Sequence, residues 1–140
     1  GDMMAVAKCY YDMVVEHVEK TRPTFVGHFD VITKFSQMPE EDESYRQMAR
    51  EALRRVIKTC PYIEVNTGAI SRGWRTVPSP NQYLLETLRE AGGEPVLGSD
   101  SHHRDNLIFH FDETVEMLKQ AGFDHVCVFN GKDFDKVYFE

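Results

Sequence analysis

Four times along the chain an apolar pattern at helical spacing gives way to a short apolar run, and this alternation predicts an α/β fold before any chemistry is considered. From Ala5 to Lys20, the residues Val6, Tyr10, Met13, Val14, His17 and Val18 recur at helical spacing, and Thr21-Arg22-Pro23 ends the helix ahead of Phe25-Val26. The acidic segment Pro39-Glu40-Glu41-Asp42-Glu43 reads as a loop and helix start, with carboxylates near the positive end of the dipole. Tyr45, Met48, Ala49, Ala52, Leu53, Val56 and Ile57 then mark a second amphipathic helix. Pro61 to Asn66 follows as a strand. Ser79-Pro80 supplies an N-cap and a first-turn proline for a third helix through Leu84, Leu85, Leu88 and Ala91, which Gly92-Gly93 closes. Pro95 to Leu97 is the next strand, a fourth helix runs from about Asp112 to Ala121 before Gly122, and His125 to Phe129 is the last strand.

Strands separated by single helices pair in parallel through right-handed crossovers, so about four parallel strands with flanking helices are expected, with their C-termini opening onto one face. The 140 residues, 41% of them hydrophobic, suit one domain spanning 1–140. A formal charge of -7 argues against a broad basic surface for nucleic acid or an anionic membrane, while leaving room for a local pocket that takes one phosphate. Cys9, Cys60 and Cys127 are odd in number and widely spaced, without a Cys-x-x-Cys pattern, which predicts reduced core thiols in a cytoplasmic protein. No apolar run approaches the roughly 20 residues of a bilayer span, and the N-terminus has no basic start and apolar stretch of a signal peptide. Gly1, where a Met would stand, reads as the residue left by a removed tag.

The candidate chemistry gathers where apolar runs end. Val96-Leu97-Gly98 leads directly into Ser99-Asp100-Ser101-His102-His103, and Phe25-Val26-Gly27 leads into His28-Phe29-Asp30. Strand ends of this kind are where α/β proteins place metals and substrates, and on a parallel sheet His28, Glu64, Asn66, Asp100 and His102 would converge. Taken singly, Asp100 also fits a turn or cap and His28 a hydrogen-bonded core histidine. Asp30 fits a structural role, or one supporting a ligand from behind.

Taken in order, Gly27-His28-Phe29-Asp30, Ile63-Glu64-Val65-Asn66-Thr67, Ser71-Arg72-Gly73, Pro78-Ser79-Pro80 and Gly98-Ser99-Asp100-Ser101-His102 resemble one family. It is the polymerase and histidinol phosphatase (PHP) superfamily of metal-dependent phosphoesterases, in its histidinol-phosphatase branch. The resemblance implies a seven-stranded distorted (β/α) barrel, of which this chain would carry a C-terminal portion as a partial barrel. It also implies divalent metals (zinc, manganese or iron) at the strand C-termini and hydrolysis of histidinol phosphate in histidine biosynthesis. A phosphatase must make a water more acidic and neutralise phosphoryl charge, and paired metals do both. By resemblance His28, Asp100 and His102 would be metal ligands, Asp100 serving catalysis as well. Arg72 and Lys34 would be the cations that meet the phosphate, a task for which the planar fork of Arg is suited.

The family's earlier His-x-His, a further histidine and a metal-bridging glutamate have no counterpart before His28. The ligand set of this chain would therefore be partial. Two alternatives stand beside this reading: a related hydrolase of another small phosphomonoester or a nucleotide end, and a non-catalytic half-barrel that binds only a metal or a partner. An open half-barrel exposes strand edges, so self-association or a need for the missing half is expected.

Overall fold

Asp2 starts the first helix by accepting hydrogen bonds from the backbone amides of Met4 (3.0 Å) and Ala5 (3.4 Å), donors that a first turn leaves without partners. In the computed structural model, which describes residues 2–27, 29–30, 38–66, 82–98 and 111–139, this helix is α1, Met3–Thr21. It stops at Arg22, whose φ of 45° turns the chain and whose N–H bonds back to Val18. The next residue, Pro23, has no amide proton with which to continue. Asp42 caps α2, Glu43–Thr59, through the amide of Ser44 at 2.8 Å. The order continues β1 (Tyr62–Asn66), α3 (Gln82–Glu90), β2 (Glu94–Gly98), α4 (Phe111–Gln120), β3 (His125–Phe129) and β4 (Phe134–Tyr138). The predicted helix start at Ser79-Pro80 lies outside the described residues.

The fold is α/β, but the sheet is mixed rather than all-parallel. Its order is β1-β2-β3-β4, with β1, β2 and β3 parallel and β4 antiparallel to β3. The predicted strand before Gly27 is reduced to Val26, which bridges Ile63 in parallel; the Val26 amide donates to Tyr62 O and the Glu64 amide to Val26 O. The extra strand follows from Asn130-Gly131. Asn130 Oδ1 accepts from the amides of Lys132 (2.9 Å) and Asp133 (2.8 Å), and Gly131 takes a φ of 95° that a side chain would resist. This turn folds Phe134–Tyr138 back on β3.

The sheet is open but curled. The rings of Tyr62, at one side, and Phe134, at the other, stack at 3.8 Å across the concave face, where Phe25 and Phe129 join them. The convex face carries Ile63, Val65 and Val126 into the main core, against Leu53 and Val56 of α2, Leu84, Leu85 and Leu88 of α3, and Leu118 of α4.

Helix α1 packs on α2 through Ala7, Tyr11, Val15 and Val18, one position round from the predicted stripe, and Val6 and Met13 of that stripe are 47% and 60% exposed. Two apolar stripes overlap on α1, and the one containing small Ala7 lets the helix sit close to Ala49 and Ala52 of α2. All three cysteines are free, but Cys9 is exposed on α1 and is not the core thiol expected. Cys60 and Cys127 are buried.

Candidate functional site

The register of the sheet determines where the motif-bearing segments leave it. Asn66 pairs with Gly98, so β1 and β2 end at the same edge, one leading toward Arg72 and the other toward Asp100. Val26 lies on the far side of β1 and runs parallel to it beside Ile63, three residues before Asn66, so it heads toward the same end of the sheet but leaves the pairing earlier than β1 and β2 do. His28, Lys34, Arg72, Asp100 and His102 themselves lie outside the described residues.

Two carboxylates of the motif segments fall within the described residues, Glu64 and Asp30. Glu64 lies beside Gly27, where a side-chain carbon would stand 3.3 Å from Glu64 Oε1. The bare glycine thus makes room for the Glu64 carboxylate. Asp30 is buried. Burial, and after it the charge of Asp30, pushes the Tyr11 hydroxyl upward, and burial, then Tyr45 and Asp30, pushes that of Tyr83 upward, so both stay protonated. The Tyr11 hydroxyl shares a 2.9 Å hydrogen bond with that of Tyr45, and Tyr10 Oη donates to Phe29 O at 2.8 Å. Arg46 and Arg50 lie over the Tyr83 ring at 4.8 and 5.2 Å from its centroid. Asp30 thus lies buried near the tyrosine hydroxyls of this cluster.

Among the described residues, the one group of three metal-type donors lies elsewhere. Glu94, His125 and Cys127 offer an oxygen, a nitrogen and a sulfur, all within 4.8 Å of one another. They share the concave face, because Val96 pairs with Cys127 and alternation puts Glu94 and His125 on the same side. Glu94 and His125 open their strands, so the group occupies the end of the sheet opposite to the exits of β1 and β2.

The His125 ring lies between two carboxylates, with Nε2 on Glu94 Oε2 and Nδ1 2.7 Å from Asp124 Oδ1. Burial alone would lower its pKa, but the hydrogen bonds to Glu94 and Asp124 and the charge of Glu94 outweigh burial and hold it above the ordinary histidine value. The bond from His125 likewise holds the Asp124 carboxyl below its usual range. The Cys127 thiol, pushed up to about 11 by burial and then by Glu94, donates to Glu94 Oε2 at 3.7 Å, and Lys136 Nζ stands 3.7 Å from Glu94 Oε1. This cluster was not anticipated from the sequence. The available signal was His125-x-Cys127, a two-residue spacing that puts both side chains on one face of a strand; Glu94 joins them only through sheet pairing.

No family model matches the chain. A Schizosaccharomyces pombe protein named probable histidinol-phosphatase is 26% identical over 126 residues, which covers 85% of this chain. The chain spans 40% of the length of that curated relative. No helix among the described residues is long and apolar enough to cross a membrane. The likeness to the fission-yeast protein, over most of this chain, supports a histidinol-phosphatase-like relationship.

Proposed function

We propose that the chain is a C-terminal portion of a PHP-type phosphatase that hydrolyses histidinol phosphate to histidinol and phosphate. The observation that carries this reading is the similarity to the fission-yeast protein, whose name specifies that reaction, along 85% of the chain. The shared parallel direction of Val26, β1 and β2 supports it, since segments heading toward one end of a sheet can supply one site. In this reading His28, Asp100 and His102 hold divalent metal, and imidazole and carboxylate donors suit zinc, manganese or iron. Metal bound there would neutralise phosphoryl charge and make a water more acidic. Arg72 and Lys34 hold the phosphate oxygens and orient the ester, and Glu64, beside Gly27, steadies the His28 segment.

The part-length match favours a second reading for the isolated chain, a half-barrel without turnover. Here the exposed β4 edge, with Val137 and Tyr138, is covered by a second copy or by the remaining strands. Light scattering on a size-exclusion column measures this, and a monomer at high concentration would remove the second copy.

The deciding assay is phosphate release from histidinol phosphate with manganese or zinc, for this chain alone and with the N-terminal portion of the fission-yeast relative supplied in trans. Metal-dependent release is expected in at least the second arm, and Asp100→Asn should abolish it. No release in either arm, or full turnover by the Asp100→Asn variant, would overturn the proposal.

A further inference from the structure

We propose that Glu94, His125 and Cys127 form a second metal site, of the zinc class, on the concave face at the opposite end of the sheet from the proposed phosphatase site. The site is independent of that reaction. Its donor set of carboxylate oxygen, imidazole nitrogen and thiolate sulfur is one that zinc and cobalt accept, and that magnesium and calcium do not, because the latter prefer oxygen throughout.

Three features of the geometry favour an ion over a chance grouping. The donors come from adjacent strands held in a parallel register, so the backbone fixes their spacing. They lie within 4.8 Å of one another; Cys127 Sγ and Glu94 Oε2, 3.7 Å apart, already have about the separation of two donors at roughly 2.0–2.3 Å from one ion, while Glu94 Oε2 and His125 Nε2, now hydrogen-bonded, move apart to admit it. Asp124 also stands behind the ring at Nδ1, leaving Nε2 directed at Glu94 and the centre of the group. A carboxylate behind a histidine in this way fixes the ring's orientation and strengthens it as a ligand.

The exchange balances in charge and protons. The ion takes the imidazole nitrogen and the sulfur without their protons, so any proton these donors carry leaves to solvent. The carboxylate, neutral imidazole, thiolate and doubly positive ion sum to zero, so the occupied group carries no net charge. A cavity of about 230 Å³ lined by Glu94, Asp124 and His125 gives the ion a way in, and the remaining coordination positions are open to water.

The test is titration of the unmutated chain with cobalt(II). A thiolate-to-cobalt absorption band in the near ultraviolet is expected, saturating at one ion per chain and removed by zinc. Neither His28, Asp100 nor His102 carries sulfur, so metal bound at the phosphatase site gives no such band, and the two proposals fail separately. Cys127→Ser should lose the band and Cys9→Ser should keep it. Asp124→Asn should keep it while weakening cobalt binding roughly 10- to 100-fold. Absence of the band in the unmutated chain, or its survival in the Cys127→Ser variant, would overturn the proposal and leave the group as an ion pair only.

Discussion

On the face of the sheet that meets the helices, β1, β2 and β3 present Ile63, Val65, Leu97 and Val126, and on the opposite face the same strands present Glu64, Glu94, His125 and Cys127. One backbone register thus builds a dry core and a polar concavity a side chain's length apart. Apolar packing is non-directional and tolerates only apolar neighbours, whereas the concave face, covered in the middle by aromatic rings and open at its ends, can hold charged groups that find partners. Stability should depend mostly on the first face and chemistry on the second.

Ile63→Ala strikes the helix-covered face, where the side chain is fully buried. Chemical denaturation should show a loss of about 2–5 kcal/mol; a loss under 1 kcal/mol would mean that this face is not the main core. Gly93→Ala tests the same face at the entry to β2. Its added carbon would stand 2.3 Å from Leu88 Cδ1 and 3.2 Å from Ile57 Cδ1. Leu88 is fully buried, so a loss of about 1–3 kcal/mol is expected in thermal unfolding.

His125→Gln probes the concave face, where removing a charged hydrogen-bond partner of Glu94 should cost about 1.5 kcal/mol. In the chelator-treated chain the contribution of His125 carries a sign that can be checked. Its pKa is raised on folding, so the stabilisation is complete below the ordinary value of 6.5 and is lost as pH rises through the folded value. Asp124, held low, contributes above its ordinary 3.8 and loses that contribution as pH falls through its depressed value. Unfolding curves across neutral pH should therefore slope downward for the unmutated chain and lie flatter for His125→Gln; equal slopes would assign the dependence to other groups.

The smallest effect is expected away from both faces. Glu19 and Arg55 join α1 to α2 at 3.3 Å while about half exposed, so Glu19→Gln should change stability by no more than about 0.5 kcal/mol. A larger change would show that the helix pair, rather than the sheet, governs stability.

Much of the chain's organisation was legible from residue patterns. Asp42 at the start of α2, the apolar stripe from Tyr45 to Ile57, and the alternation of helix with strand from α2 through β3 follow from local spacing and capping, which depend on near neighbours alone. The motif segments around His28 and Asp100 were legible in the same way, as residue types following apolar runs. Three features were not. Val6 and Ala7 belong to two overlapping stripes of α1, and only the close fit against Ala49 and Ala52 chose between them. The strand Phe134–Tyr138 has polar Asp135 and Lys136 at its centre, so no apolar run marks it, and it becomes a strand only because the Asn130-Gly131 turn lays it against β3. Glu94 stands 31 residues from His125, a separation across which no periodicity operates. Sequence determined the four helices and the strands β1 to β3 in their order, because those rest on contacts between near neighbours. The curl of the sheet, the choice of buried face on α1 and the meeting of Glu94, His125 and Cys127 belong to the tertiary structure, because they depend on how distant strands pair.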